Sequence, residues 1–113
     1  MPEQLFVYGT LMDPIIQFAV LGRTVRGAPD RLADYRKSSI RLGGQVFPII
    51  KPESGSSVKG LVISVTPAEL VHIDQYEGEA YRRKQVNLIS GKKVWVYQAS
   101  SVDHSASKTA PVG

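Results

Sequence analysis

Leu5-Phe6-Val7-Tyr8-Gly9-Thr10-Leu11 is the stretch whose reading decides the fold. Leu, Phe, Val and Tyr in succession favour a pleated, desolvated surface, and so short an apolar run suits a buried strand better than a helix. Gly9 lets the backbone turn where a side chain would clash, and it leaves the following N–H groups uncovered. Asp13-Pro14 then supplies a capping carboxylate and a proline suited to the first helical position, so a short helix is expected to start there. Strand, glycine turn and helix start together gather unpaired N–H donors at one point, and such a point attracts anionic or carbonyl oxygens. On this stretch alone the plainer reading, a tight turn within a folded core, is the stronger one.

The chain has 113 residues, the size of one domain that can bury a core without staples. It holds no cysteine, which excludes a disulfide, a thiolate metal site and a thiol nucleophile and fits a cytoplasmic setting. Met1-Pro2-Glu3-Gln4 lacks the basic and apolar regions of a secretory signal, and every apolar run falls far short of a bilayer. Neither a signal peptide nor a membrane partner is therefore expected. The formal charge of +4 permits weak attraction to phosphate. Its basic residues are scattered, with small groups at Arg82-Arg83-Lys84 and Lys92-Lys93, and read better as solvated strand edges than as a nucleic-acid surface. Exposed strand edges leave a homodimer open.

Outward from the first turn, Pro14 to Leu21 reads as two helical turns ended by Gly22. It is apolar nearly all round, so it is expected to be buried or to cover the end of a sheet. Thr24 to Ile40 reads as one or two irregular strands interrupted at Gly27 and Pro29, and Leu42 to Gln45 as a loop. Val46 to Ile50 reads as a short strand whose Pro48 must sit at an edge or bulge, and Pro52 to Ser57 as a turn. Val58 to Val65 is a strand in which Gly60 marks the close approach of another backbone or of a ligand. Thr66-Pro67-Ala68-Glu69 is a capping-box pattern that opens a helix through about Tyr76, with Leu70 and Ile73 on one face and Gly78 ending it. Tyr81 to Ile89 and Lys93 to Ala99 form a hairpin around Ser90-Gly91. Val94 and Val96 oppose Trp95 and Tyr97 across that strand, so it is expected to be covered on both faces. The polar stretch 100–113 has no periodicity and is expected to be a mobile tail on a domain of residues 1–99. The fold class that follows is α+β: a small mixed, partly closed β-barrel with two short α-helices.

Little in the chain invites metal or nucleophile chemistry. His72 and His104 are the only histidines, neither has a ligand partner at helix spacing, and His72 is expected on a helix surface. No serine sits in a nucleophile elbow, and there is no phosphate loop or dinucleotide fingerprint. Among the carboxylates, Glu77 is singular: it ends a helix between Tyr76 and Gly78, with Tyr81 entering the next strand. The negative end of the helix dipole and desolvation by the aromatics both disfavour its charged form, which is how a fold makes a general acid/base near neutral pH. The simpler alternative is a solvent-exposed Glu77 paired with Arg82 or Arg83 across the turn. Physics alone favours that alternative.

Taken together, Tyr8-Gly9-Thr10-Leu11 after an apolar strand and Asp74-Gln75-Tyr76-Glu77-Gly78 followed by Tyr81 and Arg83 resemble the gamma-glutamylcyclotransferase-like superfamily. Leu11-Met12-Asp13-Pro14, Phe47-Pro48-Ile49-Ile50-Lys51-Pro52 and Val58-Lys59-Gly60-Leu61 look most like its branch of plant avirulence-induced proteins and their microbial relatives. The likeness runs from about Leu5 to Ala99. It implies a small mixed barrel with a cavity at one end and one reaction, in which the α-amine of a gamma-glutamyl compound attacks its own side-chain carbonyl. That closes 5-oxoproline and releases an amine or amino acid, without metal, nucleotide or covalent intermediate. In the family pattern Glu77 is the general acid/base. The backbone of Gly9, Thr10 and Leu11 after Tyr8 holds the substrate's glutamyl oxygens, and Tyr81 corresponds to a pocket tyrosine. The alternative use of the same pocket is non-catalytic binding of a small carboxylated ligand.

Overall fold

A computed structural model describes the chain over residues 2–100; the expected tail lies outside the described residues apart from Ser100. In chain order the elements are β1 (Glu3–Val7), a single 3-10 turn (Thr10–Met12), α1 (Pro14–Leu21), β2 (Ala28–Leu42), β3 (Gln45–Val65), α2 (Pro67–Glu77), β4 (Tyr81–Asn87) and β5 (Lys93–Ala99). The strands form one sheet in the order β2-β3-β1-β5-β4. The β1–β5 pair is parallel and the other neighbours are antiparallel, so the sheet is mixed.

Strand β1 lies at the centre because its side chains are apolar on both faces. Phe6 and Tyr8 enter one core with Leu32, Ile50, Val58, Val62, Val94 and Val96, to which β2, β3 and β5 contribute. Leu5 and Val7 enter a second core with Ile63, Val65 and Tyr97, which Leu70 and Ile73 of α2 and Ile16, Val20 and Leu21 of α1 cover. The two-faced apolar pattern of β5 is satisfied in the same way: Val94 and Val96 belong to the first core, Trp95 and Tyr97 to the second. A right-handed twist lets such a sheet curl around its inner core. Here the curl brings the two edge strands together: the Ile89 N–H donates to the Arg31 carbonyl at 2.9 Å and the Ser90 hydroxyl to Asp30 at 2.6 Å. Lys84 Nζ also reaches the Tyr35 hydroxyl at 3.1 Å. The fold is thus the expected α+β half-barrel with two helices.

Three local expectations are corrected. Thr24 to Ile40 and Val46 to Val65 are not broken strands; β2 and β3 are continuous over 15 and 21 residues and form one long hairpin. Leu42 pairs with Gln45 around Gly43-Gly44, both at positive φ, so the expected loop is a two-residue hairpin turn. Pro52 to Ser57 does not reverse the chain. The register passes from Ala33↔Ser57 to Tyr35↔Pro52, so Asp34 alone faces the four residues between Pro52 and Ser57. Asp34 adopts φ 66° and its carboxylate accepts from the Gly55 N–H at 3.0 Å. Turn-rich composition here makes a bulge that bends the arm, because the strand pairing on both sides of it continues.

Helix α1, expected to be buried or to cover the end of a sheet, does the second. Ile16, Val20 and Leu21 pack on the core beneath it, while Ile15 and Phe18 are 77% and 62% exposed and Gln17 is only 2% exposed. Helix α2 follows its signals closely. Thr66 Oγ1 accepts from the Glu69 N–H and the Glu69 carboxylate from the Thr66 N–H, and Gly78 ends the helix at φ 74°. The close approach expected at Gly60 is also present: a Cβ there would collide with the Val7 carbonyl and the Phe6 ring. No described helix is long and apolar enough to cross a membrane.

Candidate functional site

Where β1 ends, Gly9 passes so close to Pro48 that a Cβ on it would lie 3.1 Å from the proline Cγ. The chain then closes a 3-10 turn through Met12 N–H to Gly9 carbonyl and Asp13 N–H to Thr10 carbonyl, both at 3.0 Å. Asp13 caps α1 by accepting from the Ile15 N–H at 2.9 Å, with Pro14 at the first helical position. These bonds leave the N–H groups of Thr10 and Leu11 without a protein partner among the described residues. Gln17 holds the turn from behind. Its amide donates to the Leu11 carbonyl at 2.9 Å and accepts from the Val25 N–H at 2.8 Å. An amide on an apolar helix gives no sequence signal of that task.

Glu77, the last residue of α2, meets this turn across a cavity of about 200 Å³. Tyr8, Gly9, Thr10, Leu11, Glu77 and Tyr81 all line it, so the curled sheet brings together every residue singled out in the sequence. Phe47, Pro48, Tyr76 and Tyr97 line it too. Of these Phe47 and Pro48 come from the long arm, whose return over the end of β1 had no sequence signal. Thr10 Oγ1 and the Tyr76 hydroxyl stand 3.0 Å apart and bridge the turn to α2.

The electrostatics of the cavity are set by burial. The Glu77 carboxylate has neither a hydrogen bond nor an ion pair among the described residues, and desolvation pushes its pKa up to about 7. The alternative of an exposed Glu77 paired with Arg82 or Arg83 is therefore excluded; Arg83 binds Asp74 instead, at 2.7 Å. Two phenols frame the acid. The Tyr8 hydroxyl donates to the Tyr97 carbonyl at 2.6 Å and the Tyr81 hydroxyl to the Pro48 carbonyl at 2.5 Å. Burial first, and then neighbouring charge that includes Glu77, raises both phenol pKa values, so both stay protonated at neutral pH. With their protons committed to carbonyls, these oxygens can only accept from a ligand. Among the described residues that line the cavity, Glu77 is the one with an acidic or basic side chain. His72 lies exposed on α2, as expected.

The sequence model of the family described as "Gamma-glutamyl cyclotransferase, AIG2-like" matches residues 5–112. An AIG2-like protein C of Arabidopsis thaliana is 34% identical over 86 residues, which is 75% of this chain and 49% of that protein. The chain thus spans about half the length of the curated relatives it matches. A solution structure of an Arabidopsis thaliana protein superposes with a TM-score of 0.74 at 27% identity, over 96% of this chain and 74% of that one. A solved structure named gamma-glutamyl cyclotransferase shares the fold at TM-score 0.73 and 18% identity, over 88% of this chain and 67% of that one. By the extent of the family match and the arrangement of β1, the glycine turn and α2, the chain belongs to the AIG2-like gamma-glutamyl cyclotransferase family.

Proposed function

We propose that the cavity binds a small gamma-glutamyl amide or amine and cyclises it to 5-oxoproline with release of the amine. The observation that carries this reading is that Glu77, whose carboxyl is unpaired among the described residues, lines the same cavity as Thr10 and Leu11, whose N–H groups have no partner among them either. The two groups suit opposite ends of one substrate. N–H donors take glutamyl oxygens, while Glu77 with the accepting oxygens of Tyr8 and Tyr81 suits an α-ammonium.

Ring closure needs the substrate bent so that its α-nitrogen lies against its own γ-carbonyl carbon, and a confined cavity favours that conformer. Glu77, with a pKa of about 7, takes a proton from the α-ammonium. The nitrogen then bonds to the carbonyl carbon and the developing oxyanion draws on the N–H groups of the turn. Glu77 gives that proton to the departing nitrogen as its bond to the carbon breaks. It then takes the second proton from the ring nitrogen and passes it to the released amine, which leaves as an ammonium. Two protons are moved, none is lost, and the carboxylate is regenerated. No metal or cofactor takes part.

The test is 5-oxoproline release from a panel of gamma-glutamyl amides. Activity against one of them should fall by about 100-fold or more in Glu77→Gln, the size of a lost general acid/base, with the fold intact by circular dichroism. The log of kcat/KM should rise with pH up to an inflection near 7 and flatten above it, because Glu77 must start ionised. Saturable binding of the panel with no product would move the protein to the alternative, a non-catalytic binding or regulatory module. Full activity in Glu77→Gln would remove Glu77 as the base.

A further inference from the structure

One carboxylate fastens the last turn of α2 to the sheet. Asp74 stands three residues before Glu77 on α2, so the two side chains occupy adjacent turns. Asp74 Oδ1 accepts from Arg83 Nε at 2.7 Å and from the Tyr97 hydroxyl at 2.6 Å, and Oδ2 accepts from Arg83 Nη2 at 3.0 Å. Arg83 belongs to β4 and Tyr97 to β5, so one side chain ties the helix end to two strands. The partners are themselves held. The Arg83 guanidinium lies 4.4 Å from the Trp95 ring centroid, and Trp95 Nε1 donates to Glu3 of β1 at 3.0 Å. Tyr97 also lines the cavity, and its carbonyl receives the Tyr8 hydroxyl at 2.6 Å.

We propose that Asp74 is a positioning residue, whose fork to Arg83 and bond to Tyr97 set where the Glu77 carboxyl stands in the cavity. Glu77 has no partner among the described residues, and Gly78 ends the helix immediately after it, so within them the helix turn directs its side chain. Bidentate pairing to a guanidinium stacked on an indole fixes orientation as well as distance, which a single lysine contact does not. The groups facing Asp74 are Arg83 and Tyr97, with Glu79 and Arg82 lining the same open groove; Tyr8 and Tyr97 on the sheet, Tyr76 beside it and Tyr81 on β4 border the cavity that Glu77 enters. Arg83, and then Tyr97, hold the Asp74 carboxyl below the usual range, so the clamp stays ionised while Glu77 titrates.

This inference rests on reading Glu77 as the acid/base, but its test does not depend on turnover alone. In Asp74→Asn the fork is broken and the last turn of α2 is free to let Glu77 reach water. The Glu77 side-chain carboxyl, followed by carbon NMR across pH, should then titrate about one pH unit lower than in the parent protein. With an active substrate, kcat should fall about 10- to 100-fold while KM changes less than about threefold, since placement and not binding is lost. Arg83→Lys keeps the charge but not the fork and should move both readouts the same way; it serves where Asp74→Asn does not fold. An unchanged Glu77 titration in a folded variant overturns the proposal. A shifted titration with no product from any gamma-glutamyl compound upholds the positioning role and removes the cyclotransferase reading instead.

Discussion

Glu77 is held where its anion is disfavoured, and this bears on stability as well as on chemistry. Its folded pKa, about 7, lies above the ordinary value of 4.5. Between those two values the unfolded chain binds fewer protons than the folded one, so stability falls as pH rises through that window. The loss amounts to at most about 3 kcal/mol once both states are ionised. Glu77→Gln should therefore raise the melting temperature at pH 8 and leave it nearly unchanged at pH 4, measured by scanning calorimetry at both. A flat difference across pH would contradict the burial of this carboxyl. Gln17 is the opposite kind of buried polar residue, with its amide nitrogen and its amide oxygen each engaged. Its replacement by leucine strands the Leu11 carbonyl and the Val25 N–H, and should cost about 3 kcal/mol in urea unfolding. The Gln17 environment was not legible locally, and that of Glu77 only in part. The tyrosines beside Glu77 announced desolvation, whereas the choice of Asp74 and not Glu77 for Arg83 depends on strand register.

The elements that carry their own punctuation were legible in sequence. Asp13-Pro14 starts α1, Thr66-Pro67 with Glu69 starts α2, and Gly22 and Gly78 end them. Each signal is a hydrogen bond or a dihedral preference acting within one turn, and nothing distant overrides it. Glu69 does double service, since its capping carboxylate also accepts both arms of Arg23 at 2.7 and 2.8 Å and ties α2 to the end of α1. That pair holds the Glu69 pKa down at about 2. The long arm was not legible, because Pro52 to Ser57 has the composition of a reversal and only continued pairing with β2 shows it to be a bulge. Gly60 was legible as a close approach, though not whose. Its replacement by alanine pushes a methyl into the Val7 carbonyl and the Phe6 ring, where the C-terminal part of β3 passes the end of β1. A loss of about 2–3 kcal/mol is expected from the shift in the urea midpoint at constant m-value.

At the scale of the molecule, the sheet has helices against one face and curls around a core on the other. The sequence by itself determined that both faces of β1 and β5 had to be covered, because apolar side chains alternate to both sides of a strand. It also determined the glycine turn with its unclaimed amides, and the helix that ends on Glu77. Only the tertiary structure decided that the arm returns Pro48 over Gly9, that the Ser90 loop closes onto β2, and that Glu77 stands apart from both neighbouring arginines. Local hydrogen bonding and steric preference act over a few residues and are written in consecutive letters. The company a carboxylate keeps depends on strand register and sheet curl, which pair residues far apart in the chain.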